Sequence, residues 1–346
     1  MKLPPDFIQT IENSYGEAGK QLISSLPALI KEVSTRWGLT DVQPVPNLSY
    51  NFVAFANRAD DKVVLKIGVP NRELTGEMAA LSLFHGEGAC RLIDCDEEKG
   101  FLLLERLQPG EMLSTLQDDE EATHIAAELM LKIWRPIDHI TLSPLTSLRI
   151  NSAKSLDDTG KRLSPALAPG ASVGRDERSL RVTYDKFIQL SDWFDGLKRL
   201  RAMFNGGTGP LNEKLVDRVE QSVRDFFAEN HKPVLMHGDF HHSNLLLSER
   251  GWLVIDPKGA VGPAGYEVGP LLINPWGDLL SGIDYQLITK RRIDILHERL
   301  GFERERIREW GLAHAVLSAW WGIEDNTGWE YAMSFAEMIA GLPLDS

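Results

Sequence analysis

The hydrophobic pattern of this chain shifts in character near residue 105, from a sheet-rich start to a mostly helical remainder, and the shift divides it into two unlike parts. From about 42 to 67, and again over 89–104, apolar residues alternate or run in short blocks bounded by turns. Phe52–Phe55 and Val63–Ile67 flank a turn at Arg58–Asp61, and Ala89–Asp94 and Gly100–Leu104 flank a polar turn at Asp96–Lys99. Phe101-Leu102-Leu103-Leu104 is a continuous apolar block, the pattern of a strand buried on both faces. Helical spacing predicts one helix over 17–36, carrying Leu22, Ile23, Leu26, Leu29, Ile30 and Val33, with Pro27 expected to kink or split it. A second is predicted over 73–85. Beyond Gln108-Pro109-Gly110 the period is helical, with helices predicted over 119–135, 211–229, 284–300, 303–322 and 328–342. Two strand-like segments, Val234–Met236 and Trp252–Ile255, interrupt them.

This order predicts an α+β protein with two lobes. A small mixed β-sheet lobe takes residues 1–105, a hinge 106–112, and a mainly helical lobe 113–346. Residues 141–181 are rich in Ser, Pro and Gly, and basic in an otherwise acidic chain; they read as a flexible insertion. A chain of 346 residues buries enough surface to fold without disulfides or metal clips. Its 37 Lys and Arg against 50 Asp and Glu leave a net charge of −13, which argues against nucleic acid or an anionic membrane as partner and leaves room for a cationic ligand. Cys90 and Cys95 form neither a disulfide framework nor a zinc site. With no signal-peptide pattern and no run of ~18 apolar residues, a cytoplasmic location is the expectation.

The most informative stretch is His237-Gly238-Asp239-Phe240-His241-His242-Ser243-Asn244, between an apolar strand and Leu245-Leu246-Leu247. Asp256 follows at the end of the strand Trp252–Ile255. An Asp, an Asn five residues on, and a second Asp after a short hairpin form the base and metal layout of kinases. Phosphoryl transfer needs a carboxylate to accept the hydroxyl proton, which fits Asp239. It also needs hard oxygen ligands for Mg²⁺, which fits Asn244 and Asp256. Taken alone, the eight residues could be a turn with Asp239 as a cap; the joint spacing with Asp256 disfavours that. In the first lobe, Lys66 shares a strand face with Val64 and is placed to reach nucleotide phosphates, with Glu77 on the following helix as its partner. A solvated edge lysine and a helix first-turn acid are the plain alternatives for these two.

These motifs resemble the aminoglycoside phosphotransferase branch of the kinase-like superfamily, and within it the streptomycin 6-kinase and hydroxyurea phosphotransferase family. The matching pieces are Leu103–Leu107, Phe204–Leu211, the His237–Asn244 loop, Trp252-Leu253-Val254-Ile255-Asp256-Pro257-Lys258-Gly259, Glu309-Trp310-Gly311 and Ala315–Trp321. The resemblance covers nearly the whole chain except about 141–181. It implies a two-lobed protein-kinase-like fold, ATP with Mg²⁺, and a small hydroxyl-bearing acceptor. ATP would lie between the lobes, its adenine bonded by backbone near Glu105 to Leu107. No G-x-G-x-x-G loop is present; the corresponding turn is Asn47–Asn51, where Ser49 and backbone N–H groups would face the phosphates. The absence of an Ala-Pro-Glu segment argues against a protein substrate.

Aminoglycosides are polycations, so an acceptor site of this kind needs carboxylates. Three clusters pair them with tryptophan: Asp192-Trp193-Phe194-Asp195, Trp276-Gly277-Asp278, and Trp320-Trp321-Gly322-Ile323-Glu324-Asp325. An indole face beside an acid suits a guanidinium or ammonium group, so Asp192, Asp195, Trp321, Glu324 and Asp325 are candidate acceptor contacts. Core tryptophans with a solvated acidic rim are the alternative. Lys258, two residues after Asp256, is a weaker candidate for neutralising charge in the transfer. A metabolite kinase for a sugar or amino alcohol, and an inactive kinase-like regulatory module, stay open as rival functions, as does the oligomeric state.

Overall fold

The computed structural model describes residues 3–137, 184–229, 232–275 and 284–344. The predicted insertion at 141–181 and the Trp276-Gly277-Asp278 candidate lie outside the described residues. In chain order the elements are α1 (Pro5–Trp37), β1 (Leu39–Pro44), β2 (Phe52–Arg58), β3 (Asp61–Ile67), α2 (Arg72–Phe84), β4 (Leu92–Asp96), β5 (Phe101–Glu105) and β6 (Pro109–Met112). Then come α3 (Asp119–Ile133), β7 (Arg135–Pro136), β8 (Ile188–Gln189), α4 (Leu190–Phe194), α5 (Gly196–Met203), α6 (Glu213–Ala228) and β9 (Val234–Met236). The chain ends with β10 (Leu245–Ser248), β11 (Gly251–Val254), β12 (Ala260–Gly262), α7 (Val268–Ile273), α8 (Tyr285–Leu300), α9 (Arg304–Glu324) and α10 (Glu330–Ala340). They divide into two compact units, one made of Met1–Val69 with Leu92–Glu105, the other holding Pro70–Arg91 and the described chain after Arg106.

The first unit is a five-stranded sheet in the order β1-β2-β3-β5-β4, with α1 packed on it. The sheet expected to be mixed is antiparallel throughout. The chain after α2 takes the edge as β4, and β5 then enters between β4 and β3, so every neighbour runs opposite. Leu22, Leu26, Val33 and Trp37 of α1 cover Phe52, Ala54, Leu65, Ile67, Phe101 and Leu103. Arg36 on α1 pairs with Asp96 at 2.5 Å, beside an edge-on Trp37–Phe101 contact. The chain stays helical through Pro27; the backbone leaves helical geometry at Gly16 (φ 54°, ψ −127°) instead. Glycine is required there because side chains rarely adopt that conformation. The turn also brings Gly19 so close to the Ile11 carbonyl that an added Cβ would overlap it.

In the second unit, α9 is buried on nearly all sides, from Ile307 and Trp310 through His314 to Trp320. It packs against α10, α7 and α6. The same unit holds two small sheets, ordered β11-β10-β6 and β7-β9-β12-β8. Among the described residues, no helix is long and apolar enough to cross a membrane. The segment Pro70–Arg91, which includes α2, groups with this second unit rather than with the strands it joins in sequence.

Candidate active site

The loop after β9 alternates buried and half-buried residues. His237 and Phe240 are fully buried and packed edge to face, and Asp239 between them is half-exposed. Gly238 has φ +88°, and a Cβ there would meet Ala260 Cβ at 2.9 Å and the Trp193 ring at 3.0 Å. Glycine is therefore needed both for the turn and for the close approach of the indole.

Polar groups under the loop are paired in a way that fixes its shape. His237 Nε2 donates to the Ile255 carbonyl at 2.8 Å, and His237 Nδ1 accepts the Asp239 N–H at 3.2 Å. Burial pushes the His237 pKa down to about 4, so the ring is neutral and supplies both roles. The Lys258 N–H donates to the His237 carbonyl and the Ile255 N–H to the Asn244 carbonyl, tying the loop to the Asp256 turn. Asn244 Nδ2 donates to the Asp239 carbonyl at 2.9 Å and to His241 Nε2 at 3.2 Å. With its nitrogen so committed, Asn244 offers its side-chain oxygen to a cation. Asp256 has φ +60°, a left-handed conformation uncommon outside glycine, of the kind that gathers at functional sites.

Glu267 is the residue under this loop that sequence reasoning missed. It is fully buried, and its two oxygens accept the His237 and Gly238 N–H groups at 2.8 and 2.9 Å. Burial raises its pKa to about 7 against the pull of those two bonds. A lone Glu in Gly-Tyr-Glu-Val, thirty positions downstream, carries no spacing signal.

On the other side of the Asp256 turn, α2 packs closely. A Cβ on Gly76 would meet the Lys258 carbonyl at 2.6 Å, and one on Gly259 would meet the Gly76 carbonyl at 2.7 Å. Lys258 Nζ reaches Glu73 Oε2 on the first turn of α2 at 3.2 Å. Burial opposes the charge on Lys258, but Asp256, Glu73 and Asp239 outweigh it and raise its pKa above the ordinary lysine value.

An aromatic wall adjoins the loop. Trp193 packs edge-on against Trp321 at 5.6 Å and tilted against Tyr266 at 5.9 Å, and Trp321 meets His314 at 6.1 Å. Tyr266 and His314 are joined through Oη and Nδ1 at 2.9 Å. Of the candidate acceptor acids, Asp192 accepts from Arg72 at 3.0 Å, Asp195 pairs with Lys198 at 2.6 Å, and Glu324 takes a bidentate bond from Arg199. Asp325 differs: burial, Glu324 and Glu73 raise its pKa.

In the first unit, Lys66 is buried on β3, opposite Val53 on β2 and Leu102 on β5. Ser49 is exposed on the β1–β2 turn, and Glu105 ends β5 half-buried. Glu77 on α2 and Leu107 are buried in the second unit. Among the described residues, no group of three or more His, Cys, Asp and Glu could hold a metal. The pair Asn244 and Asp256 is a hard-oxygen donor set, suited to a Mg²⁺ that keeps water and phosphate as its other ligands.

The family of aminoglycoside/hydroxyurea antibiotic resistance kinases matches residues 36–166 and 182–326. The chain belongs to this family. The match runs through 166, so the unmatched stretch, expected over about 141–181, narrows to 167–181. Among similar proteins, a streptomycin 6-kinase from Streptomyces glaucescens is 26% identical over 94% of this chain and 92% of its own length. A hydroxyurea phosphotransferase from Kitasatospora aureofaciens is 30% identical over 94% of this chain and 82% of its own. A thermostable mutant of the aminoglycoside phosphotransferase APH(4)-Ia, solved with ADP and hygromycin B, superposes with a TM-score of 0.54 at 12% identity, over 92% of this chain and all of that one. That likeness shows the kinase-like fold.

Buried histidines at and near this loop make the protein's stability pH-dependent. His237 and His314 have pKa values lowered by burial from 6.5 to about 4, and burial also pushes His242 well down. As pH falls below 6.5, the unfolded chain takes up protons that these folded sites refuse, so stability is lost. Glu267 acts oppositely between its ordinary 4.5 and about 7, where the folded state binds the extra proton. Asp94 and Asp325, also raised by burial, act in the same sense as Glu267, but the large shifts belong to Glu267 and the histidines, and three histidines outweigh one glutamate. The melting temperature should fall as pH is lowered from about 6.5 to 4.5, and fall more steeply in Glu267→Gln. A calorimetric pH series checks this; a melting temperature that rises on acidification contradicts it.

Proposed function

We propose that this protein transfers the γ-phosphoryl group of ATP to a hydroxyl of a small cationic acceptor of the streptomycin class. Family membership makes it an antibiotic-resistance-type phosphotransferase acting on a hydroxyl group. The observation that supports the finer reading is the single hydrogen-bond network that unites the Asp239 loop, Asn244 and the Asp256 turn.

In this reading Asp239 aligns the acceptor hydroxyl and takes its proton. The Asn244 side-chain oxygen and the Asp256 carboxylate would hold Mg²⁺, which would supply positive charge to offset that of the nucleotide phosphates. Lys66 is the phosphate-binding cation, Glu77 its counter-charge. Ser49 and the backbone at Glu105 and Leu107 supply further nucleotide contacts, with 106–112 joining the lobes at 1–105 and 113–346.

Asp325 carries the cationic acceptor. Its carboxyl is partly buried and held among the like charges of Glu324 and Glu73, close in sequence to Trp321, whose ring belongs to the wall beside the Asp239 loop. A guanidinium or ammonium there relieves the repulsion and gains an indole face. Asp325→Asn should raise the acceptor KM by about fivefold to tenfold with the KM for ATP nearly unchanged, the mark of uniform binding. The acceptor KM should also rise with ionic strength. Steady-state kinetics with streptomycin over a salt series checks both. A second reading, a small neutral acceptor such as hydroxyurea, draws on the pairing of Asp192, Asp195 and Glu324 with basic partners. It predicts an acceptor KM indifferent to salt and to Asp325→Asn.

A further inference from the structure

Lys258 is held at the reaction centre by its backbone. Its N–H donates to the His237 carbonyl at 2.8 Å, and its Cβ lies 3.4 Å from where a Cβ on Gly238 would stand. Both contacts adjoin Asp239. Its ammonium points to Glu73, on a helix start fixed by Asn71, whose side chain accepts the Leu74 N–H at 2.9 Å.

That ion pair is not needed to hold α2 in place. The Gly76–Gly259 crossing already seats the helix against the Asp256 turn, backbone to backbone. The pair is also partly open to water, with the Lys258 and Glu73 side chains 30% and 54% exposed. An ion pair so exposed contributes little, so a better anion displaces Glu73 easily. A phosphate oxygen is such an anion, since a charged donor and a charged acceptor make the stronger hydrogen bond.

We propose that Lys258 is a further catalytic residue: its ammonium leaves Glu73 when the nucleotide binds, and donates to the γ-phosphoryl oxygens as that group passes to the acceptor at Asp239. Lys258 keeps its protons throughout; the bond that breaks is between the γ-phosphorus and the β–γ bridging oxygen, and the one that forms is to the acceptor oxygen. The inference rests on the proposed phosphoryl transfer and adds a group that reads the third phosphate.

Calorimetric binding of a non-hydrolysable ATP analogue and of ADP, each with Mg²⁺ and without acceptor, tests it. In Lys258→Met the triphosphate should bind about tenfold more weakly and the diphosphate within about twofold of wild type. Lys258→Arg should keep most of the preference. Glu73→Gln should bind the triphosphate about twofold more tightly, because the competitor for the ammonium has lost its charge. Equal losses for both nucleotides in Lys258→Met, or a triphosphate preference that this variant retains, overturn the proposal. A matched fall in melting temperature in Lys258→Met and Glu73→Gln, with nucleotide preference unchanged in both, also overturns it and leaves the pair as a tether. A wild-type protein that binds neither nucleotide removes the parent reading and this one with it.

Discussion

Asp239→Asn should lower turnover by about 10²-fold or more while the KM for ATP stays within a few-fold. The substitution keeps the side chain's shape and removes its capacity to accept the hydroxyl proton. The loop itself has little reason to move. The bonds that shape it use the Asp239 N–H and carbonyl, taken by His237 Nδ1 and Asn244 Nδ2, and not the carboxylate. His241 Nε2, which accepts from Asn244, lies 3.7 Å from the Asp239 carboxylate. Steady-state kinetics with a separate measurement of ATP binding checks the split. Wild-type turnover in this variant removes Asp239 as the base.

Asp256→Ala should raise the Mg²⁺ concentration needed for half-maximal activity by at least about tenfold and lower turnover at saturating metal by about 10²-fold. Asp256 supplies the anionic member of the donor pair, and it also holds charge on Lys258. Asn244→Ala should act in the same direction less severely on the metal, since a neutral oxygen is lost. It carries an added cost to the loop, because the bond from Asn244 Nδ2 to the Asp239 carbonyl goes with it. Activity and nucleotide binding titrated against Mg²⁺ test both variants. An unchanged metal dependence in Asp256→Ala moves the metal elsewhere.

The proposed catalytic loop is legible in the sequence because its signal is local. A polar run with Asp239 and Asn244 stands between two apolar strands, and Asp256 closes the next hairpin, so spacing alone brings the three onto adjoining turns. What supports the loop is not local. Glu267 acquires its role when the chain after β12 folds back under His237 and Gly238. The candidate acceptor acids read in sequence as Trp–acid pairs, but Arg72 and Arg199 reach Asp192 and Glu324 across 120 and 125 positions, distances at which no pattern predicts pairing. Lys198, three residues from Asp195, is the partner that helical spacing could have found.

The same division holds for the fold. Long helices such as α9 and the apolar block of β5 follow from periodicity. The direction of β4 does not, since alternation marks a strand without saying which neighbour it will join; hence an antiparallel sheet where a mixed one was expected. Strands of two to four residues, such as β7, β8 and β12, are too short to show a period. Pro27 was the obvious breaker in α1, yet Gly16 is the break, because its freedom at positive φ permits the turn that seats Gly19 on Ile11.

The most direct test of phosphoryl transfer by this centre is mass spectrometry of the acceptor after incubation with ATP, Mg²⁺ and the protein, over a panel of streptomycin, other aminoglycosides, hydroxyurea, sugars and amino alcohols. The account predicts an acceptor carrying one added phosphoryl group on a hydroxyl, streptomycin foremost, with formation abolished by omitting Mg²⁺ and nearly abolished in Asp239→Asn. ATP left intact with every acceptor, or product formed equally well by Asp239→Asn, would contradict it.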